Sequence, residues 1–532
     1  MPRFSYEKGI KPNYTYNFPF GLCYIYSVIK NAGYDLEAYN LNHEEGHVED
    51  LIEKKLNDTK YDIVCVGGMS LDYEVIEKII NACKLHTSKP LIILGGSILI
   101  RGKQLVAESL NFDIGVVGEG ENTILELLKN LKKKKSIEKI NGICYKKENK
   151  IIFTPLREPI LNLDSIPFPD FEAFGFEKVL DNMSSGELLG CSRLDYPRTY
   201  SVLGSRGCPF QCTFCYHSTG PKYRIRSVKN TIEEIESAIK KYDINSFNLS
   251  DDLFAVQKER LCEFCKEIKR LNEKYSKKLV WMCQLWVGVV DKEILTILKD
   301  AGCVIVVFGF ESYSEKVLKS MKKPITPKQI DNAIKKCFES NMTFIGNFIF
   351  GDLAETKETV RETIDYWKEN CRGQARLFFI HPYPGSEIYE SCLKREIIKD
   401  ELNFIKNEMQ HTNIRNMTLS MSDKEFEELK KEVYDLTSKG PIYSICSKVK
   451  KEKEDRYEVS VKCPHCGKEN VIKNCLLKYE KAFSLQTACR HCGMKFYLCN
   501  RLYKFTMKHY VQLDFIRKNY LLFRDKFLKS RM

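Results

Sequence analysis

GCPFQCTFCYH, residues 207–217, sets three cysteines at 208, 212 and 215, with three and then two residues between them. The segment follows TYSVLGSRG, an apolar run that ends in turn residues, so Cys208, Cys212 and Cys215 fall in the loop after a strand. Beyond the loop, helical patterns (231–242, 258–275, 291–301, 326–340, 356–370) alternate with apolar runs. Those runs are INSFNLSDD, LVWMCQL, VIVVFGFES, TFIGNFIFG and ARLFFIHPYPG. Six strand–helix units over 199–391 predict a parallel sheet curled into part of an eight-unit barrel. In such a barrel chemistry gathers at the C-terminal strand ends, where the cysteine loop stands. Three closely spaced thiolates can wrap a cubane iron–sulfur cluster and leave one iron open. A zinc ion, or no metal at all, also fits the three cysteines taken alone.

Upstream, within a first domain expected over 1–150, residues 18–130 alternate in the same way. A helix over 22–32 stops at Gly33; YDLEAYNLN reads as a strand, DLIEKKL as a helix, YDIVCVGG as a strand and YEVIEKIINACKL as a helix. PLIILGG and FDIGVVGEGE read as strands, and 123–131 as a helix. The expectation is a doubly wound parallel sheet with Gly67, Gly68, Gly95, Gly96, Gly118 and Gly120 at strand ends, where backbone can approach a ligand. A lysine run through 129–139 closes this domain. A proline-rich stretch, TPLREPILNLDSIPFPDF, then predicts an extended linker over 151–198.

After a helical extension (392–445), CPHC and CRHC put Cys463, Cys466, Cys489 and Cys492 in two knuckles separated by 22 residues. That spacing predicts a structural Zn2+ ribbon over 446–532, with a second iron–sulfur cluster as competitor and Cys475 and Cys499 near enough to substitute. His465 and His491 are expected to face outward. From Pro441 onward there are 21 Lys plus Arg against 8 Asp plus Glu, a surplus equal to the +13 of the whole chain. This basic region, including the aromatic and basic residues that alternate over 503–532, fits an anionic partner such as RNA or a membrane surface. It equally fits a packed helix with solvated lysines.

At 532 residues and 43% hydrophobic the chain is too large for one core, which excludes disordered and fibrous classes. The 22 cysteines are scattered through apolar runs and imply a reducing compartment. No run of about 18 apolar residues occurs. The opening MPRFSYEKGIKPNYTYNF lacks a signal-peptide layout, so a soluble, cytoplasmic protein is expected.

CxxxCxxC with Phe214 before the third cysteine resembles the signature of the radical S-adenosylmethionine (SAM) superfamily. The resemblance implies a [4Fe–4S] cluster on Cys208, Cys212 and Cys215 whose open iron chelates SAM, and reductive cleavage of SAM to a 5′-deoxyadenosyl radical. It implies SAM contacts at Phe214 and at Ser250, Asp251 and Asp252 (LSDDLF), for the methionine amino group. Glu311 and Ser312 (GFES) correspond to the ribose site, and Gly346, Ile349, Gly351 and Glu355 (GNFIFGDLAET) to the adenine site. Taken from the residues alone, Glu311 reads equally as a buried charge partner. The third strand departs from the family: relatives often carry an arginine and an aspartate near Trp286 and Gly288, so a more apolar wall is expected.

The first domain resembles the cobalamin-binding domain that many of these enzymes carry, implying contacts at Gly67, Gly68, Ser70, Gly95, Gly96, Ser97, Gly118, Glu119 and Gly120. The cobalt-ligating DxHxxG motif is absent. His43 in NHEEG has part of its spacing but follows the wrong strand and reads as a surface histidine, and the apolar strand that usually opens the domain is missing.

Together these imply a cobalamin-dependent radical SAM methyltransferase acting on an unactivated centre of a small-molecule, lipid or peptide substrate. One SAM would methylate reduced cobalamin and a second would generate the substrate radical, with electrons from a flavodoxin- or ferredoxin-like donor. The alternatives are rearrangement, cyclisation or bond cleavage without methyl transfer, RNA modification guided by the basic ribbon, and a non-enzymatic cobalamin-bound sensor.

Overall fold

The computed structural model describes residues 18–508 apart from 100–102, 149, 187–192, 217–219, 221, 410–412 and 478–482. The tail beyond 508 therefore lies outside the described residues, and only the helix Arg501–Lys508 that begins it is seen.

In the first domain Ile63–Gly67, Leu91–Gly95 and Ile114–Val116 pair in parallel. Burial on both faces explains the near-continuous apolar runs of the second and third, while the edge strand Ile63–Gly67 is only partly covered. Ile93, Ile114 and Val116 pack with Val28, Ile124 and Leu127 of the flanking helices Phe20–Asn31 and Glu121–Lys132. Ile92 and Leu94 pack on the other side with Ile52, Ile76 and Ile80 of Val48–Asp58 and Tyr73–Leu85. This is the expected doubly wound layer.

Two details differ from the sequence reading. YDLEAYNLN is not a strand: residues 34–40 join no ladder and 41–43 form a 3₁₀ turn. Tyr34 and Leu36 still pack on one side of the sheet and Tyr39 and Leu41 on the other, so a burial period of two arises without hydrogen-bonded pairing. After the lysine run the sheet also gains an antiparallel hairpin, Ile143–Lys147 and Lys150–Phe153.

The connecting segment carries the 3₁₀ turns Leu163–Ser165 and Glu172–Phe174 and the helix Phe176–Asn182, so it is less extended than its prolines suggest. These turns fold over His43, which is buried against Gly175 rather than exposed; burial lowers its imidazole to about 4.

The barrel has all six expected strands, Thr199–Val202, Ser246–Leu249, Val280–Gln284, Cys303–Glu311, Thr343–Phe350 and Ala375–Phe379, parallel and adjacent in chain order. Outward residues such as Phe247, Trp281, Phe308 and Phe344 are sealed beneath the helices. Side-chain caps fix several helix starts: Ser227 accepts from Asn230 N, Asp291 from Ile294 N, and Thr326 and Gln329 form a capping box ahead of Pro327.

The C-terminal module is a five-stranded sheet in the order Glu469–Leu476, Arg456–Lys462, Tyr443–Lys453, Lys495–Cys499, Ser484–Ala488. It docks at the N-terminal ends of the barrel strands. Thr343 Oγ1 donates to the Gly493 carbonyl (2.5 Å), and Gln374 Nε2 donates to the Lys495 carbonyl while its Oε1 accepts from Lys495 N (3.0 and 2.7 Å). Ribbon and cysteine loop thus occupy opposite ends of the barrel.

Candidate active site

The cysteine loop is braced on several sides. Ser205–Arg206 pairs with Arg224–Ile225, and Ser205 Oγ donates to the Asp251 carboxylate (2.6 Å). Thr213 N donates to the Met321 carbonyl, and Ile388 N to that of Thr213 (each 3.0 Å). All three thiols are half-buried, and burial pushes that of Cys212 up to about 12.

The ribbon thiols form a close set. Cys463 and Cys492 sulfurs are 3.7 Å apart, as are those of Cys466 and Cys489, and all four ribbon sulfurs lie within 4.8 Å of one another. Zn–S bonds of about 2.3 Å in a tetrahedron require sulfur separations of roughly 3.8 Å, so this set fits one zinc ion. Cys208, Cys212 and Cys215 stand apart from that set, in the loop at the opposite end of the barrel. Cys475 is buried in the ribbon core and Cys499 faces the Ser444 carbonyl, so neither belongs to the zinc set. His465 Nε2 and His491 Nε2 lie against the Lys495 and Glu469 carbonyls (3.2 and 3.1 Å).

Around the barrel mouth the expected SAM residues divide into two groups. Ser250 and Asp252 are exposed, and Asp252 acts electrostatically on Cys208. Glu311 is buried at φ 62° and pairs with Lys323 Nζ (2.8 Å), which in turn influences Cys212. Phe214 and Ile349 pack into one apolar cluster. These groups give the mouth polar and apolar walls, a fit for a cofactor with an amino-acid head and an adenine base.

The others brace the site from within. Asp251 is buried, one oxygen has no partner, and burial raises it to about 6. Ser312 turns away and shares a hydrogen bond with Thr363 (3.2 Å). Gly346 makes room for Phe310, whose ring would lie 2.1 Å from a Cβ. Gly351 N donates to Glu355 (2.6 Å); the other Glu355 oxygen is unpartnered, and burial raises this carboxyl to about 8.

On the facing domain Gly96 lies where a Cβ would sit 2.6 Å from the Gly68 carbonyl, so the ends of the two strands beginning at Ile63 and Leu91 meet closely. Gly67 and Gly95 close that register and Ser70 is buried behind it, while Gly120 accommodates Ile25. Gly118 is different: its φ is 95° and nothing lies within 4 Å of a Cβ, so this strand-end turn presents exposed backbone.

Glu119 joins the domains. It pairs with Arg206 (3.0 Å) and Arg224 (2.8 Å) and accepts from Ile160 N (2.7 Å), and Glu121 pairs with Arg206 (2.5 Å). Tyr216 OH donates to the Ser97 carbonyl (2.5 Å). Arg206, Arg224, Tyr216 and Lys323 were not picked out from sequence; the available signal was the acidic GEGE opposite a basic-flanked cysteine loop. Trp286 packs on Phe210 (5.9 Å between ring centroids) and donates to the Pro324 carbonyl (3.3 Å), which makes the third-strand wall aromatic.

The sequence matches the Radical SAM superfamily over residues 202–366 and the B12 binding domain over residues 14–128; the ribbon lies outside both. It is 29% identical to an uncharacterized methyltransferase of Pyrococcus horikoshii, over 71% of this chain and 79% of that protein. It is also 27% identical to the anaerobic magnesium-protoporphyrin IX monomethyl ester cyclase of Rubrivivax gelatinosus, over 70% and 66%. The fold matches the radical SAM methyltransferase TsrM from Kitasatospora setae with TM-score 0.57 at 19% identity, over 72% of this chain and 75% of that one. Both cofactor domains are therefore present, and they imply a [4Fe–4S] cluster, SAM and cobalamin. The chain belongs to the cobalamin-binding radical SAM family.

Proposed function

We propose that this enzyme transfers a methyl group to a poorly reactive centre of its substrate. The observation that carries the reading is the direct tether between the cysteine loop and the strand-end turns of the cobalamin-binding domain, made by Arg206–Glu119 and Tyr216–Ser97. Similarity to a protein named as a methyltransferase supports it. When bound, the cluster with SAM supplies radical chemistry and the corrinoid supplies a methyl carrier. The chain's own part is positioning. Cys208, Cys212 and Cys215 would hold the cluster, Ser250 and Asp252 the SAM head group, and Phe214 and Ile349 the apolar side of the cofactor. Gly118 and the neighbouring strand-end turns would receive the corrinoid, and Cys463, Cys466, Cys489 and Cys492 a structural zinc.

Cyclisation without methyl transfer is the second reading, favoured by similarity to the ester cyclase. RNA delivery by the ribbon is disfavoured, because the ribbon docks at the barrel end away from the cysteine loop. No described helix is long and apolar enough to cross a membrane. We assign the reaction to a reducing cytoplasm with a flavodoxin- or ferredoxin-like donor, because a low-potential cluster needs both.

The deciding experiment reconstitutes the chain anaerobically with iron, sulfide and hydroxocobalamin, adds SAM and reductant, and screens candidate substrates. S-adenosylhomocysteine formed with a methylated product supports methyl transfer. 5′-Deoxyadenosine and a rearranged product without S-adenosylhomocysteine would replace it with the second reading.

A further inference from the structure

Arg376 stands on the inner face of the sixth barrel strand. Ala375, Leu377 and Phe379 enter the core between strands and helices, so the alternating residues Arg376 and Phe378 face the lumen, where Phe378 is 45% exposed. The register puts Arg376 beside Asn347, and Asn347 beside Gly309. This layer lies two residues, about 6–7 Å, below Glu311 and Ile349 at the mouth. Solvent reaches it: Gly309 and Asn347 are half-buried, whereas the outward Phe308 and Phe310 are fully sealed.

Among the described residues no carboxylate pairs with Arg376. Its side-chain partner is neutral, the Gln486 Oε1 of the ribbon, which accepts from one terminal nitrogen at 2.7 Å. The remaining guanidinium donors are unassigned. A half-desolvated guanidinium without a counter-ion is costly, and its planar fork matches an oxyanion in two-pronged geometry. The ribbon thereby has a role at the barrel floor, where it orients this cation without neutralising it.

We propose that Arg376, oriented by Gln486, binds an oxyanion group of the substrate, a carboxylate or a phosphate, while the rest of the substrate runs past Phe378 toward the mouth. This rests on the enzyme reading above, with the substrate received in the barrel lumen.

The test is anaerobic equilibrium dialysis of the reconstituted full chain with labelled inorganic phosphate and, separately, acetate. Saturable binding of one probe identifies the class. Arg376→Gln should weaken it at least tenfold. Gln486→Glu, which supplies a competing carboxylate while leaving the arginine in place, should do the same; Arg376→Lys should retain part of it. Iron, zinc and SAM binding at wild-type levels in each variant report an intact fold. No saturable binding of either probe to the wild type, or equal binding in Arg376→Gln, overturns the proposal. Failure of the methyl-transfer reading would instead appear as missing S-adenosylhomocysteine and would leave the dialysis result untouched.

Discussion

Tyr216, the residue after the third loop cysteine, donates its phenolic hydrogen to the Ser97 carbonyl at 2.5 Å, while Arg206, two residues before the first, pairs with Glu119. The loop is therefore tied at both ends to the strand-end turns of the cobalamin-binding domain. Tyr216→Phe removes one hydrogen bond, about 1 kcal/mol, or roughly fivefold in an equilibrium that depends on domain docking. Hydroxocobalamin affinity, followed by visible absorbance, should fall by about that factor while iron content stays unchanged. Unchanged affinity would mean that the ion pairs of Arg206 and Arg224 with Glu119 and Glu121 hold the domains without it.

Lys323→Met would leave the Glu311 carboxylate buried without its cation. Removing one partner of a buried pair costs about 3–5 kcal/mol, more than the pair itself contributes. Urea unfolding should show a loss of this size, and adding Glu311→Gln in the same chain should recover most of it. Equal instability of the single and double variants would show that packing, not charge, explains the loss.

The barrel was legible because apolar runs alternate with helical patterns at regular intervals; the six strands stand where TYSV, SFNL and their successors predict. What was lost lies where local pattern and pairing part company. Residues 34–40 alternate like a strand, yet their backbone joins no ladder, and sequence periodicity reports burial rather than hydrogen bonding. GFES led to both Glu311 and Ser312, but a register shift between Gly309 and Glu311 breaks the alternation, and Ser312 ends against Thr363. Glu119 was legible as a strand-end residue, but its arginine partners lie 87 and 105 positions away, a distance over which one sequence carries no pairing signal.

Glu355 should make stability fall as pH rises. Its carboxyl titrates at about 8 in the folded chain against an ordinary 4.5. Below 4.5 both states are protonated and there is no penalty. Between 4.5 and 8 the unfolded chain ionises while the folded one keeps its proton, so stability drops, and above 8 the full penalty is on the order of 5 kcal/mol. Glu355→Gln keeps an acceptor for Gly351 N and removes the titration. Its melting temperature should change less than wild type between pH 5 and pH 8.5, with the variant the more stable at the upper end. Parallel pH slopes would assign the effect to other groups.

The two cysteine sets should separate by metal. Cys208→Ala takes a ligand from the half-buried loop and should abolish bound iron while leaving about one zinc per chain. Cys466→Ser takes a corner from the close tetrahedron and should remove zinc while iron reconstitution persists, because the two sites occupy opposite ends of the barrel. The zinc-free variant should also melt several degrees lower, since the knuckles hold Gly493 against Thr343 and Lys495 against Gln374 at the barrel floor. Elemental analysis of both variants decides the matter: iron lost with zinc in Cys466→Ser would mean that the floor and the mouth of the barrel fold as one unit, and zinc remaining in Cys466→Ser would remove that cysteine from the ligand set.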